Sequence, residues 1–197
     1  MKILAFTDVH GNKHTAKQLV KKSGNADIMV CSGDISYFGG GVEVVLKELE
    51  KAKKTLLVIN GNHEIEEPFK KLCKKFKYVV FMHKASYEIG DLVFFGFGGG
   101  GFSQREPEFE KSSKEFMKTV DKNKKVVVIT HAPPFNTKLD YLGFAGHRGN
   151  ASLIEFIDKY QPAISISGHF HETFGKMQYF RKTLMINPGP DGRIIQI

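Results

Sequence analysis

The sequence is short of several features that would assign it to a specialised class of protein. It contains only two cysteines, Cys31 and Cys73, in 197 residues, and a disulfide scaffold needs more. No apolar run approaches the roughly 18 residues of a membrane-spanning helix, so we expect no membrane segment. The chain opens on a strand-like run instead of a signal peptide, which together with the scarce cysteines predicts a cytoplasmic protein.

Arginine is also scarce, although the chain is basic. The net charge is +8, but only four of the 29 basic residues are arginines, and the lysines occur mostly in pairs along helix-like segments. Such dispersed lysines are typical of a solvated surface, whereas a nucleic-acid surface would gather them with arginines and aromatic residues. A nucleic-acid partner is therefore possible but not favoured, and the sequence leaves the oligomeric state open.

Nucleotide-binding glycine motifs are missing or misplaced. Residues 96–101 formally contain GxGxxG after a strand-like run, but the next helix begins only near Pro107, and the chain has no GK[ST] sequence. A dinucleotide fingerprint requires the helix to start at the third glycine. We therefore expect this segment to be a loop at the rim of a site.

What the chain does have is the composition of one globular α/β domain, residues 1–197, with 41% hydrophobic and 25% charged residues. Apolar runs predict strands at residues 2–7, 27–31, 55–59, 78–82, 92–97, 125–130, 163–167, 183–186 and 194–197. Helical periodicity predicts helices near residues 14–22, 42–53, 66–75, 107–120 and 151–159. The runs without alternation suit strands covered on both faces by helices. The order indicates βαβ units in the first half and antiparallel or mixed strands in the last third.

Residues that can bind metal follow five of the predicted strands. The clusters are Asp8-Val9-His10, Gly33-Asp34, Gly61-Asn62-His63-Glu64, His131 and Gly168-His169-Phe170-His171. Because residues i and i+2 of an extended chain point to the same side, we expect each aspartate–histidine or histidine–histidine pair to project together. Sites in α/β sheets form at the carboxyl ends of strands, so the five clusters predict one shared site.

The ordered set of clusters, from residue 8 to residue 171, resembles the signature of the calcineurin-like metallophosphoesterases. The His131-Ala132-Pro133-Pro134 stretch and the small size resemble the compact branch of that superfamily. The resemblance implies the metallo-dependent phosphatase fold, in which two mixed β-sheets pack as a sandwich flanked by helices.

The resemblance also implies a role for each clustered residue. One metal would be held by Asp8, His10 and His171, and the second by Asn62, His131 and His169, with Asp34 bridging the two. His63 would act on the leaving group of the substrate. Asn62 would contribute to catalysis as well, because its neutral amide preserves the positive charge that attracts phosphate.

The implied activity is hydrolysis of a small phosphoester, expected to be a phosphodiester, by a hydroxide that bridges two divalent ions. Mixed nitrogen and oxygen ligands suit transition metals; manganese is expected first, with iron, zinc, nickel or cobalt as alternatives. The alternatives in function are a phosphomonoesterase, a nuclease with the same site, or a non-catalytic protein-binding scaffold of the same fold. His147 and Arg148 either contact the substrate phosphate or belong to a plain loop, and His14 and His83 have no assigned role.

Overall fold

Two mixed sheets pack face to face in the computed structural model of the protein, which describes all of residues 1–197. The strands are β1 (Lys2–Phe6), β2 (Ile28–Cys31), β3 (Leu56–Val58), β4 (Val79–Phe81), β5 (Ala85–Ile89), β6 (Leu92–Phe97), β7 (Lys125–Thr130), β8 (Ile164–Ile166), β9 (Met177–Phe180), β10 (Thr183–Ile186) and β11 (Arg193–Gln196). The helices are α1 (Lys13–Ser23), α2 (Val42–Leu49), α3 (Glu66–Cys73), α4 (Pro107–Thr119) and α5 (Ala151–Tyr160). None of the five is long and apolar enough to cross a bilayer.

The first sheet has the strand order β11-β1-β2-β3-β4. Strands β1 to β4 are parallel, with Ile3 opposite Ile28 and Met29 opposite Leu56. Helices α1, α2 and α3 connect them in turn, which confirms the βαβ units predicted for the first half. Strand β11 returns from the end of the chain and pairs antiparallel with β1.

The second sheet has the order β5-β6-β7-β8-β10-β9. The four central strands are parallel, and the two edge strands pair antiparallel with their neighbours. The C-terminal third is therefore mixed, as expected. Parallel neighbours need a long crossover connection, which is usually a helix. Helix α4 connects β6 to β7 and α5 connects β7 to β8 on the outer face of the sheet, whereas β8 reaches β10 through the edge strand β9.

Three buried apolar layers hold the two sheets and their helices together. The middle layer lies between the sheets and joins residues such as Ile3 and Leu57 of the first sheet to Phe94 and Val127 of the second. The two outer layers lie under α1–α3 and under α4–α5. The prediction that the apolar strands are covered on both faces by helices was wrong, because each sheet has helices on one face and the other sheet on the opposite face.

The structure also adds two strands that the sequence pattern did not predict, β5 and β9. Both are edge strands in which intermediate and exposed residues alternate, so neither contains the continuous apolar run that marks a buried strand. The second predicted helix, residues 42–53, is shorter in the structure. Helix α2 ends at Leu49 and continues only as a 3₁₀ turn over Glu50–Ala52.

Candidate metal centre

All five predicted clusters meet where the carboxyl ends of the two sheets come together. Asp8 and Asp34 follow β1 and β2 of the first sheet, and Asn62 and His63 follow β3. The second sheet contributes three histidines from the segments after β7 and β8, namely His131, His169 and His171. The site therefore exists only because both sheets present the same ends to one cleft.

The backbone at these positions is not extended. The prediction that the i, i+2 pairs project together because the chain is extended was therefore wrong. The φ angles are 53° at Asp8, 48° at His10, 50° at Asp34 and 72° at His169, all in the left-handed region that non-glycine residues seldom adopt. Hydrogen bonds from the amides of Asp8 and His10 to the carbonyls of Gly33 and Asp34 hold this conformation. Such backbone strain persists only where surrounding contacts enforce it, and it concentrates at functional sites.

The first group of converging atoms contains Asp8, His10 and His171. Asp8 Oδ1 lies 3.7 Å from His10 Nε2 and 3.6 Å from His171 Nε2, and the two ring nitrogens are 3.2 Å apart. The other carboxylate oxygen, Oδ2, accepts hydrogen bonds from Thr7 Oγ1 and from the amide of His169. Asp8 Oδ1 is thus turned toward the two imidazoles, and it is buried without a hydrogen-bond partner.

The second group contains His131, Asn62 and His169. His131 Nε2 lies 2.9 Å from Asn62 Oδ1, while its Nδ1 is 2.9 Å from the carbonyl of Ser32 and in position to donate to it. A backbone carbonyl at Nδ1 is the usual way to aim Nε2 of a metal-binding histidine. The ring of His169 lies 5.1 Å from that of His131, and its Nε2 is buried with no partner.

Asp34 lies between the two groups. Its Oδ2 is 3.3 Å from His131 Nε2 and 3.7 Å from His63 Nε2, and its Oδ1 accepts a hydrogen bond from the amide of His63. Potential ligand atoms of Asp34 lie within 4.8 Å of those of Asp8 and His131, and also of those of His10 and His63. Asp34 is therefore the carboxylate shared by neighbouring sets of potential ligands.

Burial and neighbouring charges shift the pKa values of several side chains in the site. Burial raises the pKa of Asp8, but the nearby imidazole of His171 and the charge of His131 outweigh burial and lower it overall. Burial would likewise lower the pKa of His131, yet Asp34 and Asp8 raise it to about 9. Burial and the neighbouring His131 lower the pKa of His169 to about 4. A proton on His131 thus offsets one of the two negative charges of Asp8 and Asp34.

His63 is oriented by the backbone of the preceding loop. The amide of Phe38 donates to His63 Nδ1 at 3.3 Å. Since Nδ1 accepts, the hydrogen of the neutral imidazole lies on Nε2, which faces Asp34. His63 therefore directs a hydrogen-bond donor into the cleft.

Glu64 is a structural anchor whose role the sequence analysis did not recognise. Its Oε2 accepts hydrogen bonds from the amides of Asp34 and Gly61, and its Oε1 accepts from the amide and hydroxyl of Ser36. The side chain is buried, and burial raises its pKa despite these hydrogen bonds. A charged residue directly after the histidine of the third cluster was the available signal, because a buried carboxylate needs several donors.

Replacing Glu64 by glutamine is expected to lower the free energy of unfolding by about 1–3 kcal/mol, since the amide NH₂ group would face backbone donors and leave them unpaired. Denaturant unfolding of the metal-free protein measures the change. Glu67→Gln is the matched control, because Glu67 is an exposed glutamate of the following helix α3 and only pairs with Lys70. Equal stability of the two variants would contradict the anchoring role.

The glycine-rich segment lies against the cleft, as expected of a rim loop. Gly101 has a φ of 120°, and a side-chain Cβ at this position would lie 2.8 Å from Cε1 of His169. The exposed Phe102 that follows packs edge-on against the same ring, with centroids 4.6 Å apart. The loop therefore limits the positions that the His169 ring can occupy.

The remaining histidines lie outside the converging set. His147 Nδ1 is 2.7 Å from Oδ1 of the fully buried Asp140, and its ring lines a cavity of about 410 Å³ together with Lys138 and Lys176. Arg148 is exposed and donates only its amide, to the carbonyl of Asp140. His14 lies near Gln18, and His83 Nδ1 accepts the amide of Gly98.

Comparison with known proteins identifies the family. The model of the calcineurin-like phosphoesterase family matches residues 1–173, so the chain belongs to this family and the resemblance seen in the sequence is confirmed. The uncharacterized protein MJ1162 of Methanocaldococcus jannaschii is 29% identical over 199 residues, which cover 96% of this chain and 88% of that protein.

Solved structures of low sequence identity share the fold. TT1561 of Thermus thermophilus has a TM-score of 0.75 at 14% identity, covering 96% of this chain and 90% of that one. A dimetal phosphatase from Danio rerio has a TM-score of 0.65 at 12% identity, covering 94% and 86%. The expected fold, two mixed sheets flanked by helices, is therefore confirmed for this member of the calcineurin-like phosphoesterase family.

Proposed function

We propose that the protein hydrolyses a phosphodiester with the help of two divalent metal ions bound in the cleft. The observation that carries this proposal is the pair of buried atoms without hydrogen-bond partners, Asp8 Oδ1 and His169 Nε2. A buried polar atom without a partner costs free energy. Asp8 Oδ1 faces the imidazoles of His10 and His171, and the ring of His169 lies 5.1 Å from that of His131. One cation beside Asp8 and a second beside His169 would satisfy these two atoms.

The residues present fit two ions. We propose that Asp8, His10 and His171 hold one ion, that Asn62, His131 and His169 hold the other, and that Asp34 is shared. The distance of 3.2 Å between His10 Nε2 and His171 Nε2 supports the first ion, because two nitrogens this close can bind the same cation. When bound, two such ions clamp the phosphate and activate a water for attack.

The donor set suits first-row transition metals, since imidazole, carboxylate and amide oxygen are combined. Manganese is the first metal to test, followed by iron, zinc, nickel and cobalt. The amide of Asn62 adds no charge, so the site keeps a positive surplus for an anionic substrate.

His63 acts on the leaving group in this proposal. Its Nε2 carries the hydrogen because Nδ1 accepts a hydrogen bond from the amide of Phe38. Nε2 lies in the cleft, 3.7 Å from Asp34 Oδ2. A hydrogen bond from Nε2 to the leaving oxygen stabilises the negative charge that develops there as the phosphorus–oxygen bond breaks.

The open cleft supports a diester over a monoester. The side chain of His171 is 56% exposed and Asn62 is exposed, so a second ester group on the phosphate has room to extend into solvent. His147 and Arg148 are proposed to contact the far part of such a substrate, since His147 and two lysines line a cavity and the adjacent Arg148 is exposed.

The test is a substrate panel measured with Mn, Fe, Zn, Ni and Co. Aryl phosphodiesters, cyclic nucleotides, dinucleotides, oligonucleotides and phosphomonoesters are compared by kcat/KM. Faster hydrolysis of diesters than of monoesters supports the proposal, and the reverse order would establish a phosphomonoesterase. No hydrolysis with any metal would overturn the enzymatic function.

Metal binding is expected to release protons, because His131 must give up the proton that its pKa of about 9 retains at pH 7. The apparent affinity should therefore rise about tenfold per pH unit between pH 7 and 9 and level off above that range. Calorimetric titration with Mn²⁺ in buffers of different ionisation enthalpy counts the protons released. Binding that releases no proton at pH 7 would contradict this charge assignment.

A further inference from the structure

We propose that an apolar pocket beside His63 binds the leaving group of the substrate and selects alcohols that carry one benzene-sized apolar group. This inference rests on the hydrolytic function proposed above. The pocket has a volume of about 170 Å³. The side chains that give it its apolar character are Phe38, Val42, Ile65, Phe69 and Leu72.

One side chain, His63, belongs both to the lining of the pocket and to the candidate metal centre. His63 lines the pocket, and its Nε2 faces Asp34 in the cleft. The ring of Phe38 packs against His63 with centroids 4.2 Å apart. A group attached to an oxygen that accepts a hydrogen bond from Nε2 would therefore lie next to a side chain that lines the pocket.

The chemistry of the lining determines what can bind. Glu64 is the one charged residue in the lining, but its two oxygens are already engaged in four hydrogen bonds with the backbone and Ser36. Apart from His63, no side chain of the pocket thus offers a free polar partner to a sugar or a charged group. An apolar occupant loses nothing by entering, because it has no hydrogen bonds to replace.

The size of the pocket fits a single ring. An apolar cavity of about 150 Å³ in another protein holds one benzene molecule, which is close to the volume found here. Two apolar residues at the pocket are also unusually exposed, Phe38 at 73% and Ile65 at 79%. Exposed apolar surface beside a cleft is typical of a ligand-binding site, and an apolar leaving group would cover it.

Methyl benzyl phosphate tests the proposal within one molecule. Benzyl alcohol and methanol have nearly equal acidity, so without a selective pocket the two alcohols should be released in similar amounts. We expect benzyl alcohol to exceed methanol by about 10- to 100-fold, the range that burial of a phenyl group provides. Chromatography of the products gives the ratio independently of the overall rate.

Two variants connect that ratio to the pocket. Leu72→Trp fills the pocket and should bring the ratio close to one. Val44→Trp is the matched control, because Val44 is a partly exposed residue of α2 that does not line the pocket, and it should keep the wild-type ratio. If Leu72→Trp does not fold, Ile65→Ser is measured instead and should also lower the ratio, because it removes an apolar side chain from the pocket lining. Ile65 is exposed at the N-cap of α3, where serine is favoured.

A wild-type ratio near one, or a high ratio that Leu72→Trp leaves unchanged, would overturn the pocket proposal while leaving phosphodiester hydrolysis intact. If no ester is hydrolysed, the pocket proposal is tested by adding benzyl alcohol to the metal-free protein and recording its methyl NMR resonances. Shifts confined to the methyl resonances of Val42, Ile65 and Leu72 support the pocket, and the absence of such shifts overturns it.

Discussion

Replacing His63 by alanine is expected to lower kcat by about 10²–10³-fold, the effect of removing one donor to the charge that develops in the transition state. Metal content should remain at the wild-type level. The physical reason is that the amide of residue 63, and not its side chain, donates to Asp34 Oδ1. Alanine keeps that amide, so Asp34 stays in place.

Steady-state kinetics and elemental analysis of the same preparation separate the two effects. His14→Ala is the matched control, because His14 is an exposed histidine on α1 that lies outside the cleft, and it should change neither quantity. If His63→Ala loses a metal ion, His63 is a ligand and its assigned role is wrong.

Replacing Asp34 by alanine is expected to remove both metal and activity. The carboxylate lies within reach of both groups of potential ligands, so its loss should weaken both proposed ions. Mutation of residues that only support metal ligands costs about 10–100-fold in affinity, and the loss of a shared ligand should cost more. Metal content is expected to fall well below that of the wild type.

Elemental analysis after dialysis, with circular dichroism to verify folding, tests this expectation. Asp121→Ala is the control, since Asp121 follows α4 and its side chain accepts only the amide of Asn123. Wild-type metal content in a folded Asp34→Ala variant would refute the proposed shared position.

The central strands were predictable because a strand that is buried on both faces has a continuous apolar sequence. Strands β6, β7 and β10 have the predicted bounds, and each is rich in apolar or β-branched residues. The edge strands β5 and β9 were missed because only one face of each is partly covered, so hydrogen bonding to a neighbouring strand decides their conformation.

The positions of the site residues were predictable for a different reason. Asp8, Asp34 and His131 each follow a recognisable strand, and the ordered clusters carry the family resemblance. The conformation that brings them together was not predictable. Their side chains converge because left-handed turns are held by hydrogen bonds between separate loops, as between the amide of His10 and the carbonyl of Asp34.

The sequence by itself determined the class of fold, the family and the identity of the clustered residues, because apolar runs and short clusters are local properties of the chain. Only the tertiary structure decided which atoms face one another. Examples are the unpaired Asp8 Oδ1, the hydrogen on Nε2 of His63 and the anchoring by Glu64. These depend on contacts between residues far apart in sequence, whose geometry is set by the packing of two sheets and not by any single segment.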